Sequence, residues 1–172
     1  PVKIPFHGAV RSDSVEVGQT FEMLWGTGYE KGPVLIEVLQ NGKWLQRYWT
    51  TGAPTQGVLR VPVGEELRGG FTVAVSMGKE NRLYRENRRV HVPWTNKSLD
   101  LKWKTFRSKL RPGQAETWSL QIKGSQAEMR AAEMVASLYD ASLDQFYGHG
   151  FPGISGIFRS DTTYVRWGFS NR

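Results

Sequence analysis

Val34-Leu35-Ile36-Glu37-Val38-Leu39-Gln40 runs into Asn41-Gly42 and continues as Lys43-Trp44-Leu45-Gln46-Arg47-Tyr48-Trp49-Thr50. Two β-prone runs separated by Asn-Gly form a hairpin, because the two central positions of its tight turn need positive φ and Asn and Gly tolerate that best. A second strand reads as clearly: in Phe71-Thr72-Val73-Ala74-Val75-Ser76-Met77 the large apolar residues fall at every second place. One face of that strand packs, and Thr72 and Ser76 are expected to meet water.

Working outward, Phe21, Met23 and Trp25 repeat the alternation after Val17-Gly18-Gln19, and Leu59, Val61 and Val63 repeat it before Gly64. Five strands with turn signals between them make the first part of the chain a small β-sandwich. The 19 glycines and the 7 Trp, 6 Tyr and 8 Phe suit such short strands and tight turns. Val92-Pro93-Trp94-Thr95-Asn96-Lys97-Ser98 interrupts the pattern, which places a domain boundary near Trp94 and gives domains 1–94 and 95–172.

Behind the boundary Leu99, Leu101 and Trp103 alternate with Asp100, Lys102 and Lys104. A Pro112-Gly113 turn follows, and then Trp118, Leu120 and Ile122 alternate with Ser119, Gln121 and Lys123. Local propensity favours a helix over Gln126 to Tyr147, which lacks Gly and Pro. Gly148 to Gly156 carries Gly148, Gly150, Gly153, Gly156 and Pro152 and reads as a mobile loop, before a β-prone piece from Thr162 to Phe169.

At 172 residues with 39% hydrophobic and 23% charged residues, the chain is globular, and no run approaches the ~18 apolar residues of a membrane-spanning helix. No direct membrane insertion is expected. The 23 Lys and Arg against 16 Asp and Glu leave a net charge of +7, too modest to argue for nucleic acid. Cysteine is absent, so disulfides, thiolate nucleophiles and Cys-based zinc sites are excluded together. His7, His91 and His149 lie too far apart in sequence for shared metal binding, and no phosphate loop or nucleophile elbow occurs. No catalytic residue, cofactor or metal is expected. The start PVKIPFHGAV holds no signal peptide, and the chain reads as a piece of a longer protein.

Two basic clusters stand out, Arg82, Arg85, Arg88 and Arg89 in one and Lys102, Lys104, Arg107, Lys109 and Arg111 in the other. Interleaved with Trp103 and Phe106, the second could bind single-stranded nucleic acid. Lys102 and Lys104 instead read as the solvated side of a strand, where lysine also discourages edge-to-edge pairing. No nucleic acid partner is expected. The seven tryptophans suggest a carbohydrate-binding module as the alternative function, since indoles stack on sugar rings. Trp25, Trp44, Trp103 and Trp118, however, share parity with other large apolar residues and are expected in cores, leaving Trp49, Trp94 and Trp167 for exposure.

The segments Leu110-Arg111-Pro112-Gly113, Thr117 to Gly124 and Ala131 to Phe146 resemble bacterial alpha-2-macroglobulin family proteins. So do Val15-Glu16-Val17-Gly18-Gln19, Arg60-Val61-Pro62-Val63 and Gly70 to Val75 upstream. The resemblance implies an all-β chain of two tandem macroglobulin-type (immunoglobulin/fibronectin-like) antiparallel sandwiches, the second partial. It makes Ala132 to Tyr139 a strand in place of the propensity-based helix, with a short helical turn over 141–146 capped by Asp140.

It further implies a non-catalytic scaffold in a protease-trapping protein at the bacterial envelope, extracytoplasmic, whose partners are target proteases and neighbouring macroglobulin-type domains. Gly148 to Asp161 has the composition of a protease bait and equally that of a surface loop, and Arg159 would suit trypsin-like enzymes.

Overall fold

The computed structural model describes residues 5–30, 32–124, 141–146, 148, 150, 153–158 and 160–164. The chain divides into two compact units, one of Pro1–Pro93 with Ser155–Arg172 and one of Trp94–Ile154.

Among its described residues the first unit carries seven strands: β1 (His7–Val10), β2 (Thr20–Gly26), β3 (Val34–Gln40), β4 (Lys43–Trp49), β5 (Gln56–Pro62), β6 (Phe71–Lys79) and β7 (Arg82–Val90). They form a three-stranded sheet in the order β1-β2-β5 and a four-stranded sheet in the order β4-β3-β6-β7, antiparallel throughout. Asn41 and Gly42 take φ values of 47° and 74°, the positive pair that the Asn-Gly hairpin requires. Past β1 the chain changes sheets, and Ser14 bridges His91 in parallel at the far end of β7.

Alternation decides which residues meet between the sheets. Phe21, Met23, Trp25, Leu59 and Val61 face Val34, Ile36, Val38, Phe71, Val73, Val75 and Met77 in one buried cluster. The Phe21 and Phe71 rings pack edge to face at 5.7 Å, joining the two layers at the centre. The Trp25 indole lies across Gly57, where an added Cβ would come within 2.7 Å of the ring. Three strands against four around a shared core make this an immunoglobulin/fibronectin-like sandwich.

Near the turn joining β6 to β7, the Tyr29 hydroxyl lies 2.9 Å from that of Tyr84 and 3.4 Å from the Glu80 carboxylate. The hydrogen bond to Tyr84 first, then burial and the Glu80 charge, push the Tyr29 phenol from its ordinary 10 up to about 12. The unfolded phenol ionises near 10, so this contribution to stability is complete below that pH and disappears as the pH rises through 12. Absorbance titration at alkaline pH is expected to show a late-ionising tyrosine that the Tyr29→Phe variant lacks.

In the second unit β8 (Leu99–Thr105) pairs antiparallel with β9 (Ser119–Gly124), followed by a 3-10 turn at Ala141–Gln145 where a short helical turn was expected. The strand expected over Ala132–Tyr139, the helix that propensity favours over the same region, and Asp140 lie outside the described residues.

Candidate functional site

The chain leaves the sandwich at Pro93 and returns to it at 160–164, and both crossings are held by one turn. The 3-10 turn Glu65–Leu67 leads into Arg68, Gly69 and Gly70, and the two glycines take φ values of 88° and 101°. Such angles turn backbone donors and acceptors in directions that an ordinary residue would not reach without strain. The Gly69 N–H donates to the Val92 carbonyl at 3.0 Å, and the Gly69 carbonyl accepts from the Asp161 N–H at 3.1 Å. One residue therefore ties down the outgoing and the returning chain.

Arg68 strengthens the outgoing side. Its guanidinium forks onto Glu65, Nε to Oε2 at 2.6 Å and Nη2 to Oε1 at 2.9 Å, while Nη1 donates to the Pro93 carbonyl at 2.5 Å. The side chain is only 6% exposed, and the hydrogen bond to Glu65 raises its pKa further despite burial, so the charge is permanent. The returning chain is held a second time by the hairpin turn. The Asn41 N–H donates to the Asp161 carbonyl at 2.8 Å, and the Gly42 N–H donates to Thr163 Oγ1 at 2.8 Å. The Thr162 methyl carbon would lie 3.1 Å from a Cβ on Gly70, and the Arg89 guanidinium lies 5.4 Å over the Tyr164 ring. Residues 160–164, placed by sequence in the second half, thus belong to the first sandwich.

Of the residues singled out as a protease-exposed loop, Gly148, Gly150, Gly153 and Gly156 are exposed, and a Cβ on Gly148, Gly150 or Gly156 would meet nothing within 4 Å. Gly156 lies in a short 3-10 turn, Ile154–Ile157, rather than in open loop. Arg159 lies outside the described residues, as do His149 and Trp167. Among the described residues no cluster of three His, Cys, Asp or Glu could hold a metal, and no helix is long and apolar enough to cross a membrane.

Three expectations are corrected. Thr72 and Ser76 do not meet water: they are 1% and 7% exposed, on the side of β6 that faces away from the shared core, and neither hydroxyl has a hydrogen-bond partner. On that same side Glu37, fully buried, pairs with Arg47 of β4 at 3.3 Å and with Arg85 of β7 at 3.4 Å. Arg85 is the cross-strand partner of Ser76 and reaches Glu37 diagonally across β6, past the small side chains of Ser76 and Ala74. Burial lowers the pKa of Arg85, and the Glu37 charge opposes that shift.

Second, Trp44 and Trp103 are exposed rather than core, while Trp25 is buried as expected. β4 lies at the end of its sheet and all seven of its residues are exposed, so neither parity reports burial there.

Third, both faces of β8 are exposed, with Leu99, Leu101 and Trp103 on one of them. Trp103, Phe106 and Trp118 cluster with ring centroids 5.3 to 6.2 Å apart. The two indoles stand at 79° to each other, not as the coplanar row that a polysaccharide chain would need.

No known protein family matches the chain, and no curated protein does. Among solved structures it is similar to an engineered protein solved at 1.98 Å, at TM-score 0.40 and 14% identity over 53% of this chain. The match spans only 20% of that protein's length. It is also similar to the sulfur carrier protein SoxY from Chlorobium limicola f thiosulfatophilum, at TM-score 0.34 and 16% identity over 51% of this chain and 74% of that one. A CARDB domain from Pyrococcus furiosus, solved with di-metal ions, gives TM-score 0.35 and 14% identity over 51% and 85%. All three scores lie below 0.5, and the fold rests on the strand pairing and the shared core described above.

Proposed function

We propose that the chain is a non-catalytic scaffold of the alpha-2-macroglobulin kind, in which a β-sandwich anchors both ends of the stretch 94–160 and the loop from Gly148 to Asp161 at its end is offered to proteases at the bacterial envelope. The observation that supports this reading is the double tie at Gly69, which anchors the outgoing chain through Val92 and the returning chain through Asp161. A segment anchored at both ends can be offered to a protease cleft while the sandwich stays folded, because its opening need not propagate into the core. Gly148, Gly150, Gly153 and Gly156, which precede the returning anchor, are exposed. In this reading the partners are target proteases and neighbouring macroglobulin-type domains, and the location is extracytoplasmic.

Limited proteolysis with enzymes of several specificities tests it. Early cuts between Gly148 and Asp161, with the sandwich resistant, are the expected result. Early cuts confined to Trp94–Ser98 would identify an ordinary linker and overturn the bait role. The Arg68→Ala variant loses the fork on Glu65 and the bond to Pro93 and is expected to cost about 2 kcal/mol. It should also move early cleavage toward residues 93–98. An unchanged melting temperature and cleavage map would remove Arg68 from the anchor.

A further inference from the structure

We propose that the first sandwich binds a small oxyanion on the side of the β6–β7 pair that faces away from its core. A pocket of about 320 Å³ there is lined by Asp13, Thr72, Asn87, Arg88, Arg89 and Tyr164. Thr72 and Arg89 are direct cross-strand partners, and Asn87 is the next residue of β7 on the same face. Three donor-bearing side chains from two adjacent strands therefore converge on one space.

Each donor is available. The Thr72 hydroxyl is buried and has no partner, a cost that folding does not recover unless something accepts from it. Asn87 takes the Arg85 Nε–H on its Oδ1 at 2.9 Å, which turns its amide N–H groups the other way. Arg89 lies over the Tyr164 ring, and among the described residues no carboxylate is paired with it. A hydroxyl, an amide and a planar guanidinium, with only Asp13 as a negative group in the lining, suit a phosphate, sulfate or carboxylate group and offer little to a cation. The Arg88 guanidinium is directed to the Gly8 carbonyl and pairs with Glu86 on the core side of β7, so it is not one of the donors.

The test is a titration of the whole chain with inorganic phosphate and, separately, with acetate, at low ionic strength and followed by amide chemical shifts. Saturable shifts at Thr72, Asn87 and Arg89 are expected with at least one anion, and the anion that binds more tightly distinguishes a tetrahedral from a planar ligand. Arg89→Gln is expected to weaken binding about tenfold or more, as loss of a charge-assisted bond implies. Thr72→Val should weaken binding without lowering the melting temperature, because the hydroxyl that it removes has no partner in the free protein. Asp13→Asn should tighten it. Absence of saturable shifts with either anion would overturn the proposal, and so would binding that neither Arg89→Gln nor Thr72→Val alters.

Discussion

Gly70→Ala is expected to destabilise the first sandwich by about 3 kcal/mol or more, because two penalties act together. At φ 101° an alanine is strained wherever it has space, and here it has none: its Cβ would run into the Val90 carbonyl and press on the Thr162 methyl. Val90 pairs with Phe71, which packs on Phe21, so relief of the clash disturbs the strand end nearest the centre of the core. The variant should therefore show both a lower melting temperature and loss of protection in residues 161–163. Gly42→Ala is the control. Gly42 has φ 74° but nothing within 4 Å of its Cβ position, so only the conformational part of the penalty applies. Equal losses for the two variants would mean that the Val90 and Thr162 contacts carry no weight.

Glu37→Ala is the second large expected effect, a loss of about 3–5 kcal/mol in thermal or denaturant unfolding. The carboxylate is wholly buried and stands between two guanidinium groups, so its removal leaves Arg85, itself largely buried, with uncompensated charge. The pair need not be a net source of stability. Its desolvation cost offsets much of the attraction, and the double change Glu37→Leu with Arg85→Met should recover most of what the single change loses. A Glu37→Ala variant as stable as the parent would show that the two ion pairs at 3.3 and 3.4 Å do not form in solution.

The sequence made most of the sandwich legible where one face of a strand is apolar and the other polar. β2, β5 and β6 have that pattern, and the Asn41-Gly42 turn fixes the register of the hairpin that contains β3. β7 does not have it. Arg82-Leu83-Tyr84-Arg85-Glu86-Asn87-Arg88-Arg89-Val90 reads as a basic cluster because its core-side positions include Glu86 and Arg88. Those two pair with each other at 3.4 Å, and Arg88 also donates to the Gly8 carbonyl at 3.3 Å. A partner on the same strand and a carbonyl on β1 of the other sheet satisfy what periodicity would reject, and a single-sequence reading holds no record of the second.

The burial of Thr72 and Ser76 was hidden for a related reason. Alternation separates the two sides of a strand but does not say that both are covered. The return of the chain was the least legible feature. Asp161-Thr162-Thr163-Tyr164 has no period to read, and its attachment comes from backbone groups that glycine exposes at Gly69 and Gly42 and that Asn41 presents in the hairpin turn.

The double anchor is the claim on which the scaffold reading stands, and nuclear Overhauser contacts of the intact chain measure it directly. A cross-peak between the Thr162 methyl and the Gly70 Hα protons, with a slowly exchanging Asp161 amide, is the predicted result. A Thr162 methyl without contacts to Gly70, together with an Asp161 amide exchanging at the rate of an unstructured chain while Gly69 stays protected, would contradict it.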